Sequence, residues 1–212
     1  MEDRRNLRQQ IIALLQGGNF PGLVELAGRE PGVVNQLVKF LFDPGDLLNW
    51  RGVEGLGYVA GAFPQQVQKV ISRLLYMLNE DSGSFGWLAA AALGEIGRHQ
   101  ISLVQEIIPM FCGFLEEDFS RASMLWGMAR MAQVHPQALG ESCSFLIPCL
   151  RDRQPLVRAL AALCLGRMGE QEARESIKSL EADEEPVQLY DRGELQWTTV
   201  GQVAREALAA LG

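Results

Sequence analysis

The sequence contains few of the residues that catalysis and metal binding require. Only two of its 212 residues are histidines, His99 and His135, and each follows the end of a predicted helix. No nucleophile stands at a fixed offset from either histidine, so nothing indicates a Ser/His/Asp or Cys/His centre. The four cysteines form no CxxC pair, and HExxH and EF-hand patterns are absent. We therefore expect no catalytic residue, no metal site and no cofactor, and we expect free buried thiols at Cys112, Cys143, Cys149 and Cys164.

Phosphate-binding loops and long apolar runs are also missing. The chain has neither a Walker pattern nor GxGxxG after a strand. The apolar run 11–15 is too short for a signal peptide, and no later run approaches the length of a membrane span. We expect a cytoplasmic protein that does not bind a membrane.

Basic charge is scarce at one end of the chain. The formal net charge is -7, and residues 170–212 hold ten acidic and four basic residues, a net of -6. This acidic segment repels phosphate backbones, so we do not expect a nucleic-acid partner.

What the chain does contain is a repeated pair of helices. The predicted first helices are residues 47–60, 81–97, 118–132 and 152–169, and the second helices are residues 64–78, 102–115, 136–150 and 170–180. A small residue late in each first helix recurs at intervals of 37, 35 and 37 residues, at Gly57, Gly94, Ala129 and Gly166. This period is typical of an α-solenoid, in which stacked pairs share one core. Asp46, Asp118 and Asp152 are predicted to cap first helices.

Residues 152–169 resemble a repeat of the HEAT-repeat superfamily, and more closely its bacterial HEAT-like branch with phycobilin-lyase-type repeats. The resemblance rests on Asp152, Pro155, Val157, Arg158, Ala161, Ala162, Leu165, Gly166 and Gly169. It covers about residues 44–212, although the first and third units lack the Val-Arg pair. It implies a fold in which second helices line a concave surface, and a role for Arg158 as a rung that joins repeats through a neighbouring Asp.

The hydrophobic period changes from helical to two within residues 186–199, which predicts a β-hairpin with its turn at residues 191–194. Thr199 and Gln202 form a capping box for a last helix, residues 203–211. One interpretation is that the hairpin covers the apolar end of the solenoid.

The other interpretation makes the hairpin a recognition surface, and the two are compatible. Tyr190, Arg192 and Trp197 would then contact a partner, because these residue types dominate binding hot spots. Trp50 and Trp87 each stand seven residues before a repeat glycine, either as packing residues or as an aromatic strip that binds a partner. Gln68 and Gln105, on second helices, are further candidate contact residues.

The sequence thus predicts an all-α fold, a right-handed α-α superhelix with a small β-hairpin inserted near the C-terminus. We expect one continuous domain, with a helical cap at residues 1–43, four HEAT-like pairs at 44–183, and the hairpin with a capping helix at 184–212. The predicted function is a non-catalytic scaffold or adaptor that binds a protein partner. The alternatives that the resemblance leaves open are a bilin lyase or isomerase and an alkylpurine DNA glycosylase.

Overall fold

The computed structural model describes residues 2–78 and 87–212, and the side chains of these ranges from residue 5 onward. The chain is mostly helical with one small antiparallel sheet, which confirms the predicted helical class and the hairpin. It divides into two compact units, residues 1–104 and 105–212. The predicted cap, repeat array and hairpin boundaries stay predictions.

The first unit contains six α-helices in its described part. They are α1 (Glu2–Gln16), α2 (Phe20–Arg29), α3 (Val33–Leu37), α4 (Leu47–Ala62), α5 (Pro64–Leu78) and α6 (Ala89–His99), with short 3-10 turns at Val38–Phe40 and Ile101–Leu103. The predicted start of a helix at residue 81 lies outside the described residues.

Helices α4 and α6 approach closely because small residues lie between them. A Cβ on Gly57 would lie 2.7 Å from Glu95 Cγ. A larger residue at position 57 would therefore push the two helices apart. Four successive alanines of α6, Ala89 to Ala92, are fully buried and provide the same short separation.

The second unit contains five α-helices and the hairpin. The α-helices are α7 (Asp118–Ala132), α8 (Cys143–Cys149), α9 (Pro155–Met168), α10 (Arg174–Lys178) and α11 (Val200–Leu211). Helix α9 packs against both α7 and α11. Gly166 permits the approach of α11, because a Cβ there would lie 2.7 Å from Ala207 Cα.

Several predicted second helices are 3-10 helices or are shorter than expected. Residues Gln105–Leu115 and Pro136–Ser142 form 3-10 helices, and the predicted helix 170–180 reduces to a 3-10 turn followed by α10. Pro109 lies inside the first of these segments and lacks the amide hydrogen that an α-helix needs. Such segments keep the position of a second helix but not its α-helical hydrogen bonds.

The predicted caps are confirmed at some helices and wrong at others. Asp46 accepts a hydrogen bond from Leu48 N at 2.9 Å, and Thr199 Oγ1 accepts one from Gln202 N at 3.2 Å. Asp118 is already the first residue of α7 and Asp152 lies three residues before α9, so neither is the N-cap. Asp152 instead accepts a hydrogen bond from Gln154 N.

Two arginines form equivalent rungs between elements of the second unit. Arg158 Nη2 lies 2.7 Å from Asp183 Oδ2, and its Nη1 donates to Asp152 O, which confirms the predicted rung. Arg121, which precedes Arg158 by 37 residues, binds Asp152 Oδ2 at 3.1 Å and donates to Leu115 O. The third predicted repeat therefore keeps the arginine, although Ser120 replaces the valine before it.

The hairpin consists of β1 (Pro186–Asp191) and β2 (Glu194–Thr199), which pair with Val187 opposite Thr198 and Tyr190 opposite Leu195. Arg192 and Gly193 form its two-residue turn with φ values of 50° and 83°. Positive φ at both central residues is the geometry that joins two twisted strands tightly.

Candidate functional site

Strand β1 is fixed to the helices through Tyr190. This side chain is 2% exposed, and the centre of its ring lies 6.0 Å from the centre of the Trp126 ring of α7. Trp126 Nε1 donates a hydrogen bond to Tyr190 O at 2.9 Å. The predicted contact residue Tyr190 thus anchors the hairpin, and its ring is not available on the surface.

Two arginines lie beside this anchor. The guanidinium of Arg130 lies 5.3 Å from the centre of the Trp126 ring, and Arg130 is only 6% exposed. Arg167 occupies the equivalent place in the next repeat, 37 residues later, and its Nη1 donates to Ala129 O. Both guanidinium groups are held against α7 by these contacts.

A small groove separates the hairpin from the helices, and we call it the hairpin groove. It has a volume of about 140 Å³ and is lined mainly by Trp126, Arg130, Leu163, Arg167, Leu189, Tyr190, Gln196, Trp197, Gln202 and Glu206. Pockets for drug-sized ligands measure roughly 300–1,000 Å³, so this groove fits one or two side chains better than a cofactor.

Trp197 is the most exposed large apolar residue among the described side chains, at 71%. It lies on β2, opposite Gln188 of β1. An isolated exposed tryptophan leaves a large apolar surface in water, and such residues are frequent at binding hot spots. Tyr190 and Trp197 both line the hairpin groove, but only Trp197 presents its ring to solvent.

Arg192 lies at the tip of the hairpin, apart from the groove. Its side chain is 89% exposed, and its Nε lies 3.5 Å from Asp191 Oδ2. An ion pair this exposed contributes little to stability. Arg192 is therefore accessible to a partner but is not positioned by its surroundings.

The two predicted tryptophans of the first unit differ in burial. Trp50 is 8% exposed, and its Nε1 donates to Pro44 O at 2.8 Å, as expected of a packing residue. Trp87 is 40% exposed and precedes α6. Of this predicted pair, only Trp87 offers surface to a partner.

Gln68 and Gln105 are both exposed, each in its own unit. Neighbouring segments carry exposed apolar side chains that the sequence analysis did not single out, namely Tyr76 in the first unit and Met110 and Phe145 in the second. Met110 and Phe145 stand 35 residues apart, one repeat interval. That spacing could have identified both residues from the sequence as equivalent positions in two repeats.

The first unit holds a buried polar group that the sequence analysis missed. Glu95 of α6 is fully buried, and its Oε1 lies 2.9 Å from Arg98 Nη1 and 3.3 Å from His99 Nε2. The centre of the His99 ring lies 4.8 Å from the centre of the Tyr58 ring. A buried carboxylate needs a cation beside it, and Arg98 provides one, which accounts for the cluster as part of the packing.

The cysteines are free, and the surroundings of Cys143, Cys149 and Cys164 suppress thiolate formation. Burial, and then the hydrogen bond to Glu170, raise the pKa of the Cys143 thiol to about 12. Burial also raises the pKa of Cys149 and Cys164. Three of the four predicted buried thiols are buried, and Cys143 is partly exposed.

Residues 118–168, from α7 to the end of α9, match the family model of the HEAT-like repeat. The chain therefore contains a HEAT-like repeat in this segment. This match includes both rung arginines, Arg121 and Arg158, and Trp126. The finer resemblance to the bacterial phycobilin-lyase-type branch stays a prediction.

The chain is also similar to an uncharacterized relative and to designed repeat proteins of known structure. An uncharacterized protein of Archaeoglobus fulgidus is 23% identical over 176 residues, which cover 81% of this chain and 93% of the relative. The designed armadillo repeat protein YIII(Dq)4CqI has a TM-score of 0.54 at 21% identity, covering 97% of this chain and 92% of its own.

A second designed armadillo repeat protein, YIII(Dq.V1)4CPAF, was solved in complex with the peptide (KR)4. It has a TM-score of 0.56 at 19% identity and covers 97% of this chain and 91% of its own. At these identities the likeness shows a repeat-helical fold. In the described ranges, no helix combines the length and the apolar character needed to span a bilayer.

Proposed function

We propose that this HEAT-like repeat protein is a non-catalytic binding module for a protein partner, and that the partner contacts Trp197 and the rim of the hairpin groove. The observation that carries the proposal is the 71% exposure of Trp197 beside a groove with room for one or two side chains. Burying that ring against a partner is favourable, at about 25 cal/mol for each Å² of apolar surface.

The anchoring of β1 supports this surface as a binding platform. Tyr190 and Trp126 fix the hairpin before a partner arrives, so little conformational entropy is lost at the backbone on binding. The designed armadillo neighbours are described as peptide-recognition proteins, which is consistent with a peptide or protein partner for this fold.

The test is affinity capture from a lysate of the source organism, with each captured protein identified by mass spectrometry. Trp197→Ala should abolish retention of the specific partner, whereas Trp87→Ala, which removes a less exposed tryptophan, should leave it unchanged. If Gln68→Glu or Gln105→Glu abolishes retention while Trp197→Ala does not, the partner binds a second-helix segment and the proposed site is wrong.

The two enzymatic alternatives have separate tests. Mixing the purified protein with bilins should leave their absorbance spectra unchanged, and a spectral shift would favour the lyase alternative. A DNA mobility assay at low salt should show no complex, since residues 170–212 carry a net charge of -6. A DNA complex would favour the glycosylase alternative.

A further inference from the structure

We propose that the outer edge of β2 is a docking site for an extended, lysine- or arginine-rich segment of the partner, which pairs with β2 as a third strand. This inference rests on the proposed function and names the chemistry of its partner. The outer edge of β2 is defined by the backbone groups of Leu195 and Trp197.

The hairpin register determines which backbone groups point outward. Val200 N donates to Glu185 O at 3.1 Å, so Glu185 and Val200 are a hydrogen-bonded pair, two pairs beyond Val187 and Thr198, which are therefore hydrogen-bonded as well. In an antiparallel ladder, hydrogen-bonded pairs alternate with pairs whose N–H and C=O groups point away from the partner strand. Tyr190 and Leu195 therefore form an outward pair, as do Gln188 and Trp197.

The outward groups of β1 confirm this assignment, since one of them is in use. Tyr190 O accepts the Trp126 hydrogen bond, so helix α7 lies at the outer edge of β1. Leu195 and Trp197 have no such contact, because no backbone hydrogen bond within the described residues involves their N–H or C=O groups. An unpaired row of this kind is a template for an added strand.

Burial distinguishes the two strands in the same way. Val187 and Tyr190 of β1 are buried, whereas no residue of β2 is. Trp197 and Gln196 are exposed. A strand at this edge would therefore find both its backbone partners and the tryptophan ring accessible.

Charge selects the composition of the added segment. Residues 181–212 contain seven acidic and two basic residues, and Glu184, Glu185, Glu194 and Glu206 are exposed. Arg130 is 6% exposed and Arg167 donates to Ala129 O, and the exposed charged residues of 181–212 are mainly carboxylates. A cationic segment is attracted to this region, and its side chains can stack on Trp197.

The experiment measures binding of the synthetic peptide (Lys-Val)4 to the full chain by isothermal titration and by ¹⁵N NMR. We expect binding that shifts and protects the Leu195 and Trp197 amides. The same peptide N-methylated at every residue after the first should bind at least ~10-fold more weakly, because it cannot donate hydrogen bonds to β2. The peptide (Glu-Val)4 should also bind at least ~10-fold more weakly, because its charge is repelled.

Two protein variants serve as matched controls. Trp197→Val keeps the backbone amide and the strand propensity but removes the ring, and it should weaken binding ~10-fold. Trp87→Val should have no effect on peptide binding.

Three results would overturn the proposal. Equal affinity of the N-methylated peptide would show that side chains alone bind, and the absence of (Lys-Val)4 binding would exclude a cationic strand. Concentration-dependent dimerisation that protects the Trp197 amide would identify a second copy of this chain as the occupant. In the first two cases the proposed function still stands if Trp197→Ala abolishes partner capture, so the two failures are distinguishable.

Discussion

The two strands of the hairpin have similar compositions and opposite surroundings. Strand β1 buries Val187 and Tyr190 and offers a carbonyl to Trp126 of α7. Within the part of the chain that the structure describes, strand β2 pairs only with β1, and it exposes Trp197. An aromatic residue therefore contributes to folding on one strand and is available for binding on the other.

The difference shows that packing against the neighbouring helices decides which hairpin residues are buried and which stay accessible. Trp126 lies in α7, which the HEAT-like repeat match includes, so a repeat element provides the anchor for the hairpin. The rung between Arg158 and Asp183 holds the segment that leads into β1. Substitutions on the anchored side should change stability, and substitutions on the open side should change binding.

The largest expected effect is at Tyr190. Tyr190→Ala leaves a cavity against Trp126 and should lower the free energy of unfolding by about 3 kcal/mol. Urea denaturation followed by circular dichroism measures the change. Trp197→Ala on the open strand should change it by less than about 0.5 kcal/mol. Equal losses for the two variants would mean that the strands are not packed differently.

A smaller effect is expected at the Arg158 rung. Arg158→Ala leaves Asp183 without its cation in a site where both side chains are about 15% exposed. The free energy of unfolding should therefore fall by about 2 kcal/mol. The matched control is Arg192→Ala, whose 89% exposed pair with Asp191 should contribute less than about 0.5 kcal/mol. Thermal denaturation of the two variants gives the comparison, and a neutral Arg158→Ala would contradict the role of the rung.

The smallest effect tests the hydrogen bond between α7 and β1. Trp126→Phe keeps an aromatic ring but removes the donor to Tyr190 O, which should cost about 1 kcal/mol. Trp197→Phe, at a side chain with no such hydrogen bond, should leave the free energy of unfolding unchanged. If Trp126→Phe is also neutral, the ring contact alone anchors the strand.

Much of the fold could be predicted because repeats leave a periodic signal. Intervals of 37, 35 and 37 residues located Gly57, Gly94, Ala129 and Gly166 on successive first helices, and the 37-residue interval would have identified Arg121 from Arg158. The 3-10 segments could not be predicted, since hydrophobic spacing alone does not distinguish them from α-helices. Asp152 was misassigned as a cap because a side-chain rung and a cap need the same residue type.

The candidate site was only partly predictable. Exposed Trp197 and buried Tyr190 follow the same alternation of apolar and polar residues in sequence. Tyr190 is buried because it packs on Trp126 of α7, which lies 64 residues away in the chain. The groove residues Arg130 and Arg167 were missed because their shared place after the small repeat residue becomes informative only when the repeats are superposed.

The central claim is that β2 keeps an open edge, and amide hydrogen exchange of the free protein tests it most directly. We predict slow exchange at Gln196 and Thr198, because their N–H groups face β1. We predict fast exchange at Leu195 and Trp197, because their N–H groups face outward. Slow exchange at all four residues in a monomer would show that the edge is already covered and would contradict the account.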